Sequence, residues 1–320
     1  MRVGHNPARF VEKVAQPAEI TVTLVNCIPF LSGYYEQSLD VLKMVIDSLH
    51  ATRDEAHPYD VMVFDNHSCA EVRRYLKEAG EQGKIQYLIF SDTNIGKIGA
   101  WNYMFGAAQG KYVVFSDGDI LFRPGWLQAS LELFETFPNV GMVTARPYRG
   151  SEKFSEATFD WANKQGAGVL EEGIFLDWET VWEHGRSIGV SEEQARTNYP
   201  KMRDYRLTYH GKVAYIGASH FQFTTRRELL QKVIPFPSEQ PMRGERALDV
   251  AFDSMGCLRL NTEKALVMHM GNRIPETGRV DTLAPKNKSI LRRLLWLPVV
   301  RKFLLWLNNQ IFHLYFINVE

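Results

Sequence analysis

Cysteine is scarce. Cys27, Cys69 and Cys257 are an odd number among 320 residues and lie far apart, so no disulfide framework is encoded. No two of them stand at metal-ligand spacing, which excludes a structural zinc site built on cysteine pairs. A reducing cytosol is the matching compartment. An excess of one charge is missing too. The 37 Lys and Arg balance 37 Asp and Glu to a formal net charge of zero, which removes the electrostatic case for a nucleic-acid partner. No stretch reaches the roughly 18 uninterrupted apolar residues of a spanning helix. The first residues, Met1 to Pro7, lack the apolar centre of a secretory signal. Internal repeats and low-complexity tracts are absent. The expectation is a cytoplasmic protein, soluble or peripheral on the inner face of the cell membrane.

What is present is the composition of an ordinary globular protein, 45% hydrophobic and 23% charged, with ample length for a core. Apolar runs ending in polar residues recur along the first half: Ile20 to Asn26, Tyr59 to Ser68, and Tyr112 to Asp119. A further short run spans Ile85 to Phe90. Between them, stretches with apolar residues at helical spacing predict helices over Gln37 to His50, Glu71 to Ala79 (ended by Gly80) and Ile98 to Gln109 (stopped by Gly110). Gly125-Trp126 opens another helix to about Phe137, and Val140 to Ala145 reads as a strand. Strands alternating with helices in this way make βαβ units of a parallel sheet. Ligands of such sheets bind outside the carboxyl ends of the strands.

The third of those ends is the most informative. Asp117-Gly118-Asp119 directly follows Tyr112-Val113-Val114-Phe115-Ser116. Two carboxylates around a glycine at a sheet edge offer oxygen ligands with room for a ligand to approach. Mg²⁺ and Mn²⁺ prefer such ligands, and Mg²⁺ is commonly held by one or two carboxylates plus substrate phosphates. Asp-Gly-Asp is also ordinary turn chemistry. The other strand ends, Asn26 and Asp65-Asn66-His67-Ser68, together with Asn94-Ile95-Gly96 and Asn102, make chance turns a poor account of the whole set.

The order Thr-Leu-Val-Asn, Phe-Asp-Asn-His-Ser, Asn-Ile-Gly…Trp-Asn, Phe-Ser-Asp-Gly-Asp…Pro-Gly-Trp resembles the family 2 glycosyltransferases of GT-A fold. The resemblance is close over residues 18–147 and looser over 212–272. It implies an inverting, metal-dependent transferase that moves a sugar from a nucleotide diphosphate-sugar, a UDP-sugar first among the donors, to a glycan or lipid-linked hydroxyl. The implied fold is a Rossmann-like, mostly parallel sheet flanked by helices, with a helical insertion and an amphipathic tail. By the same resemblance Asp119 binds Mn²⁺ or Mg²⁺, Asp117 touches the ribose or the metal, and His269 stands near metal and diphosphate. Asp65 accepts the base N–H. Asn26, Asn66, Asn94, Gly96, Asn102 and Gly118 complete the nucleotide-sugar pocket. Lys97 reads as a choice between neutralising phosphate and simple solvation.

Inversion needs a general base for the acceptor hydroxyl. Relatives carry a Glu-Asp pair before a helix, which the segment Gly244 to Gly256 lacks. Spacing to Gly256 selects Glu245, whereas a carboxylate followed by apolar residues selects Asp249. They stand at i and i+4 and share one helix face.

The expected organisation is an N-terminal arm (1–17), a nucleotide-sugar half (18–150), an acceptor-side helical insertion (151–210), an acceptor and catalytic half (211–285), and a basic tail (286–320). The insertion has few strand-like runs and crowds Trp161, Trp178 and Trp182 with acidic residues. Val213 to Ile216, Ser219 to Thr224, Cys257 to Leu260 and Ala265 to Met268 read as strands. The tail alternates Lys286, Lys288, Arg292, Arg293, Arg301 and Lys302 with leucines, Trp296 and Trp306, a pattern suited to an anionic membrane surface over 286–316. The alternative is packing on the body or on a second subunit, a homodimer.

Two other functions stay open. A nucleotidyltransferase shares the sheet and the acidic site, but Cys27 to Gly33 holds none of the basic residues of its phosphate loop. A degenerate, non-catalytic sugar-nucleotide binder would account for the missing Glu-Asp pair. A dinucleotide-binding dehydrogenase is excluded by the lack of G-x-G-x-x-G after the first strand.

Overall fold

A computed structural model describes residues 3–11, 13–150, 152–164, 168–238 and 244–274. The basic tail, and with it the membrane or dimer contact expected of 286–316, lies outside the described residues. No helix among the described residues is long and apolar enough to cross a membrane.

The first half alternates as the apolar runs predict: β1 (Ile20–Asn26), α1 (Ser38–Ala51), β2 (Tyr59–Asn66), α2 (Ala70–Glu81), β3 (Tyr87–Ser91), α3 (Gly96–Ala107) and β4 (Tyr112–Asp117). Then come β5 (Ile120–Phe122), α4 (Trp126–Thr136) and β6 (Val140–Thr144). Residues 151–210 hold α5 (Glu156–Ala162), β7 (Val169–Gly173), α6 (Trp178–Ser187), α7 (Glu192–Asn198) and β8 (Asp204–Tyr209). The chain continues through β9 (Lys212–Ile216), β10 (Gln222–Arg226), α8 (Arg227–Val233), α9 (Arg246–Ser254), β11 (Leu258–Thr262) and β12 (Val267–His269).

Ten strands form one sheet in the order β3-β2-β1-β4-β10-β6-β11-β9-β8-β7. The pairings β3-β2, β2-β1, β1-β4 and β6-β11 are parallel, while β10, β9 and β7 each run against their neighbours. Seven of the ten strands therefore share one direction, although five of the nine pairings are antiparallel. Helices cover both faces, so successive residues of one strand enter different cores. Val114 packs with Leu24, Val45 and Trp126, whereas Val113 and Phe115 pack with Trp101, Phe105 and Phe223. A strand buried on both faces reads as a continuous apolar run, which is why β1, β2 and β4 stood out in the sequence.

Four local outcomes differ from the sequence reading. The second helix passes through Gly80 and ends at Gly83 (φ 73°), where Lys84 N–H bonds the Ala79 carbonyl and Gly83 N–H that of Gly80. That is a Schellman stop, and it needs the left-handed residue that Gly83 supplies. The segment 151–210 contains the expected helices but also β7 and β8, which extend the sheet edge through β9. Their half-exposed faces blur the apolar alternation that marks a strand. Ser219, His220 and Phe221 are loop rather than strand, because β10 pairs with β4 only as far as Gln222 opposite Ser116. Finally, the stretch read as a strand from Ala265 is a strand only over Val267–His269, and it does not join the main sheet. β12 joins β5 in a separate antiparallel ribbon, His269 opposite Ile120.

Candidate active site

β1, β2 and β4 lie side by side with Asn26 opposite Asp65 and Val25 opposite Asp117. Their carboxyl ends therefore open onto one cleft of about 450 Å³. Asn26, Asn66, Asn94, Gly96, Lys97, Asp117, Gly118 and Asp119 line it, closed on one side by Tyr34 and Tyr35 and on another by Gly271 and Asn272. Gly118 is needed for contact: a Cβ there would stand 3.1 Å from the Val25 carbonyl and 3.2 Å from Asn26 Cβ. A larger residue would force the acidic turn and the end of β1 apart by a few tenths of an ångström.

The β5–β12 ribbon carries His269 to Asp119. Met270 N–H bonds the Asp119 carbonyl, and His269 Nε2 lies 3.4 Å from Asp119 Oδ2. The ring's other nitrogen, Nδ1, is 2.9 Å from Ser187 Oγ, at the end of α6. Ser187 spends its one hydroxyl proton on the His184 carbonyl, 2.7 Å away. In neutral His269, Nδ1–H donating to the Ser187 oxygen would leave the Nε2 lone pair toward Asp119, the tautomer a metal ligand needs. His184 itself, packed behind His269, is kept neutral: burial, helped by Arg146 and His269, lowers its pKa to about 3.

Asp119 Oδ1 is buried with no hydrogen-bond partner. Burial raises the Asp119 pKa to about 6; Asp117 adds to the rise, while His269 and Lys97 oppose it. An orphan carboxylate oxygen beside an imidazole lone pair is a donor set that fits Mn²⁺ or Mg²⁺. Among the described residues no group of three or more His, Cys, Asp and Glu gathers to hold a metal. A cation here would complete its shell with phosphate oxygens and water, the usual habit of Mg²⁺.

Asp117 has a different partner. Lys97, in the first turn of α3, places Nζ 2.7 Å from Asp117 Oδ1 and within 5.1 Å of the Phe115 ring centroid. Sequence reading left Lys97 between phosphate and solvent; the fold puts it in the cleft, ion-paired and only 18% exposed in its side chain. Its signal was its place directly after Gly96, where a helix starts at the strand ends.

Asp65 is clamped inside the protein. Asn26 Nδ2 donates to Oδ1 at 2.9 Å, and Arg73 Nε and Ser68 N–H donate to Oδ2 at 3.0 and 3.3 Å. It does not line the cleft, while Asn26, which does, keeps Oδ1 without a partner. Asn66 and Asn94 hold each other at 2.9 Å and also bond the backbone of Ile95 and Gly96, latching the turn before α3. Asn102 lies outside the cleft. Five residues beyond Lys97 on α3, it faces away and pairs its amide with the Phe236 backbone at 2.8 and 2.9 Å.

Neither base candidate lines the cleft. Asp249 is buried, with Arg259 Nη2 2.6 Å from one oxygen and His220 Nε2 2.7 Å from the other. Glu245 is half-buried, at the residue preceding α9. Sequence reading named neither His220, Arg259 nor Ser187, because each matters only through a partner distant in the chain.

The sequence profile of glycosyl transferase family 2 matches residues 33–232. An uncharacterised glycosyltransferase of Nostoc sp. is 29% identical over 126 residues, 38% of each chain. The chondroitin synthase of Escherichia coli is 25% identical over 134 residues, 38% of this chain and 20% of that protein. These matches span well under half of either relative. Among solved structures, a mannosyltransferase from Pyrobaculum calidifontis in complex with GDP-Man and Mn²⁺ is similar with a TM-score of 0.46 and 15% identity, covering 85% of this chain and 63% of that one. S. aureus TarS 1-349 is similar with a TM-score of 0.43 and 15% identity, over 78% and 59% of the two chains. With a profile match over more than half its length, laid on strand ends that carry the acidic turn, the chain belongs to glycosyl transferase family 2.

Proposed function

We propose that this protein transfers a sugar, with inversion, from a nucleotide diphosphate-sugar to a hydroxyl of a glycan or lipid-linked acceptor, with Mn²⁺ or Mg²⁺ bound at Asp119 and His269. The carrying observation is that Asp119, on the cleft, has one oxygen without a partner and His269 Nε2 3.4 Å from the other. A bound divalent cation supplies Lewis-acid stabilisation of the departing diphosphate. Lys97, already inside the cleft, adds positive charge where that diphosphate forms, and Asp117 holds it there. Asn26 lines the cleft and its Oδ1 has no partner within the protein, so it is the candidate acceptor for a base N–H, with Asp65 fixing the Asn26 amide from behind. Tyr34 and Tyr35 offer faces for the base at the rim.

The test is incubation of the purified protein with a panel of nucleotide sugars and Mn²⁺, measuring release of nucleoside diphosphate. Release with one donor, abolished by chelation, is the expected result. Pyrophosphate release from a nucleoside triphosphate and sugar phosphate would mark a nucleotidyltransferase instead.

A further inference from the structure

Asp249, the sequence's first choice for the base, is a poor one as it stands. It is 2% exposed, and its oxygens lie 2.6 Å from Arg259 Nη2 and 2.7 Å from His220 Nε2. With both oxygens engaged inside the protein, it presents neither to an acceptor hydroxyl. What the pair does accomplish is to hold an imidazole. His220 is 27% exposed in its side chain although its Nε2 is buried against Asp249, so the exposure belongs to the rest of the ring.

The position of that ring matters. His220 stands in the loop that ends β10 at the acidic turn: Asp117 N–H bonds the Phe221 carbonyl at 2.8 Å, and Lys97 Nζ lies 3.5 Å from the His220 carbonyl. The loop joins Asp117 to α9 on the β10 side of β4, away from β1 and β2, whose ends form the proposed nucleoside pocket; His220 adjoins the cleft through Lys97 and does not itself line it. The charged and titratable groups facing His220 are Asp249, Arg259 behind it, and Lys97 at its backbone.

Resting on the glycosyl-transfer reading above, we propose that His220 is the general base for the acceptor hydroxyl and that Asp249, gripped from its other side by Arg259, is its positioning residue. Asp249 draws the ring proton to Nε2 and leaves the Nδ1 lone pair as the acceptor, as a carboxylate does for a catalytic histidine elsewhere. As the acceptor oxygen bonds to the anomeric carbon, its proton passes to Nδ1. The bond from that carbon to the diphosphate breaks, and its electron pair leaves with the diphosphate. The imidazolium so formed is stabilised by Asp249. The 2.7 Å contact is short but poorly aligned; catalytic hydrogen bonds often align only once substrate is bound.

The experiment compares His220→Ala, Asp249→Asn and Glu245→Gln with the full-length wild type. The readouts are turnover of whichever donor the panel identifies, UDP and GDP binding by calorimetry in Mn²⁺, and thermal unfolding. His220→Ala is expected to lower kcat by about 10²–10⁴-fold, the usual worth of acid–base catalysis, at unchanged nucleotide affinity and midpoint. Added imidazole should restore part of the loss. Asp249→Asn should also lose turnover and shift the pH profile; because Asp249 is buried, a loss of fold there is read only from the midpoint and leaves the His220 result to decide. Wild-type turnover in His220→Ala, or a loss confined to Glu245→Gln, overturns the assignment. A loss in His220→Ala matched by lost nucleotide binding overturns it equally. Absence of donor turnover in the wild type sinks the glycosyl-transfer reading itself, and this inference with it.

Discussion

Asp119 joins stability and function in one side chain. Its carboxyl is pushed from an ordinary 3.8 to about 6, chiefly by burial, so between those values the folded protein holds a proton that the unfolded chain has released. Without metal, the stability from this protonated group is present below the unfolded value and is lost as pH rises through about 6. Asp119→Asn should therefore raise the thermal midpoint of metal-free protein at neutral pH and flatten its decline between about pH 4 and 6. The same variant should lose metal-dependent turnover, and Mn²⁺ should stabilise the wild type but not the variant. A second prediction concerns Asp65. Its ties to Asn26, Ser68 and Arg73 place it in the scaffold beneath the nucleoside pocket. Asp65→Ala should cost about 1.5–3 kcal/mol of stability, the range for hydrogen bonds to a charged group, read in denaturant titration together with weaker UDP or GDP binding. Weaker binding at full stability would mark Asp65 as a direct base contact instead.

At the scale of elements, α6 is the unexpected participant. Arg146 at the end of β6 is fully buried and meets Glu183 at 2.5 Å, and Arg123 meets the other Glu183 oxygen at 2.7 Å. Burial lowers the Arg146 pKa, and the Glu183 bond opposes that fall. This clamp fixes α6 against the sheet, and α6 ends at Ser187, whose Oγ lies 2.9 Å from His269 Nδ1. A helix of the segment 151–210 thus orients a proposed metal ligand. Ser187→Ala should weaken Mn²⁺ binding about 10–100-fold, the usual effect of losing a partner behind a ligating histidine, with the fold intact by circular dichroism. Glu183→Ala should do more. Stranding a buried guanidinium costs about 3–5 kcal/mol, visible as a lower thermal midpoint. Unchanged Mn²⁺ affinity in Ser187→Ala would separate α6 from the metal.

For the molecule as a whole, the proposed donor-site residues all lie before Ile274, within the compact unit Met1–Ile274. The tail therefore makes a separable prediction. If its basic and tryptophan residues meet anionic lipid, each Lys or Arg contributes on the order of 1 kcal/mol, screened by salt. Truncation after Pro285 should then abolish binding to anionic liposomes and leave donor turnover intact. A truncated protein that loses its thermal transition would show instead that the tail is packed structure.

The strands β1, β2 and β4 and their polar ends were legible in the sequence because burial on both sheet faces writes them as unbroken apolar runs. The acidic turn was legible because its residues are neighbours in the chain. β7 and β8 were not, since half-exposed strands at and next to the sheet edge leave a weak pattern. Tertiary structure alone decided which polar residues face the cleft. Asn102 turned away with the helical period of α3, Asp65 sank beneath Asn26, and Lys97 came in. It alone joined His269 to Asp119 across 150 positions, Ser187 to His269, and His220 to Asp249. A chemical group's identity is local, but its partner is chosen by sheet pairing and helix packing, and those join residues with no relation along the chain.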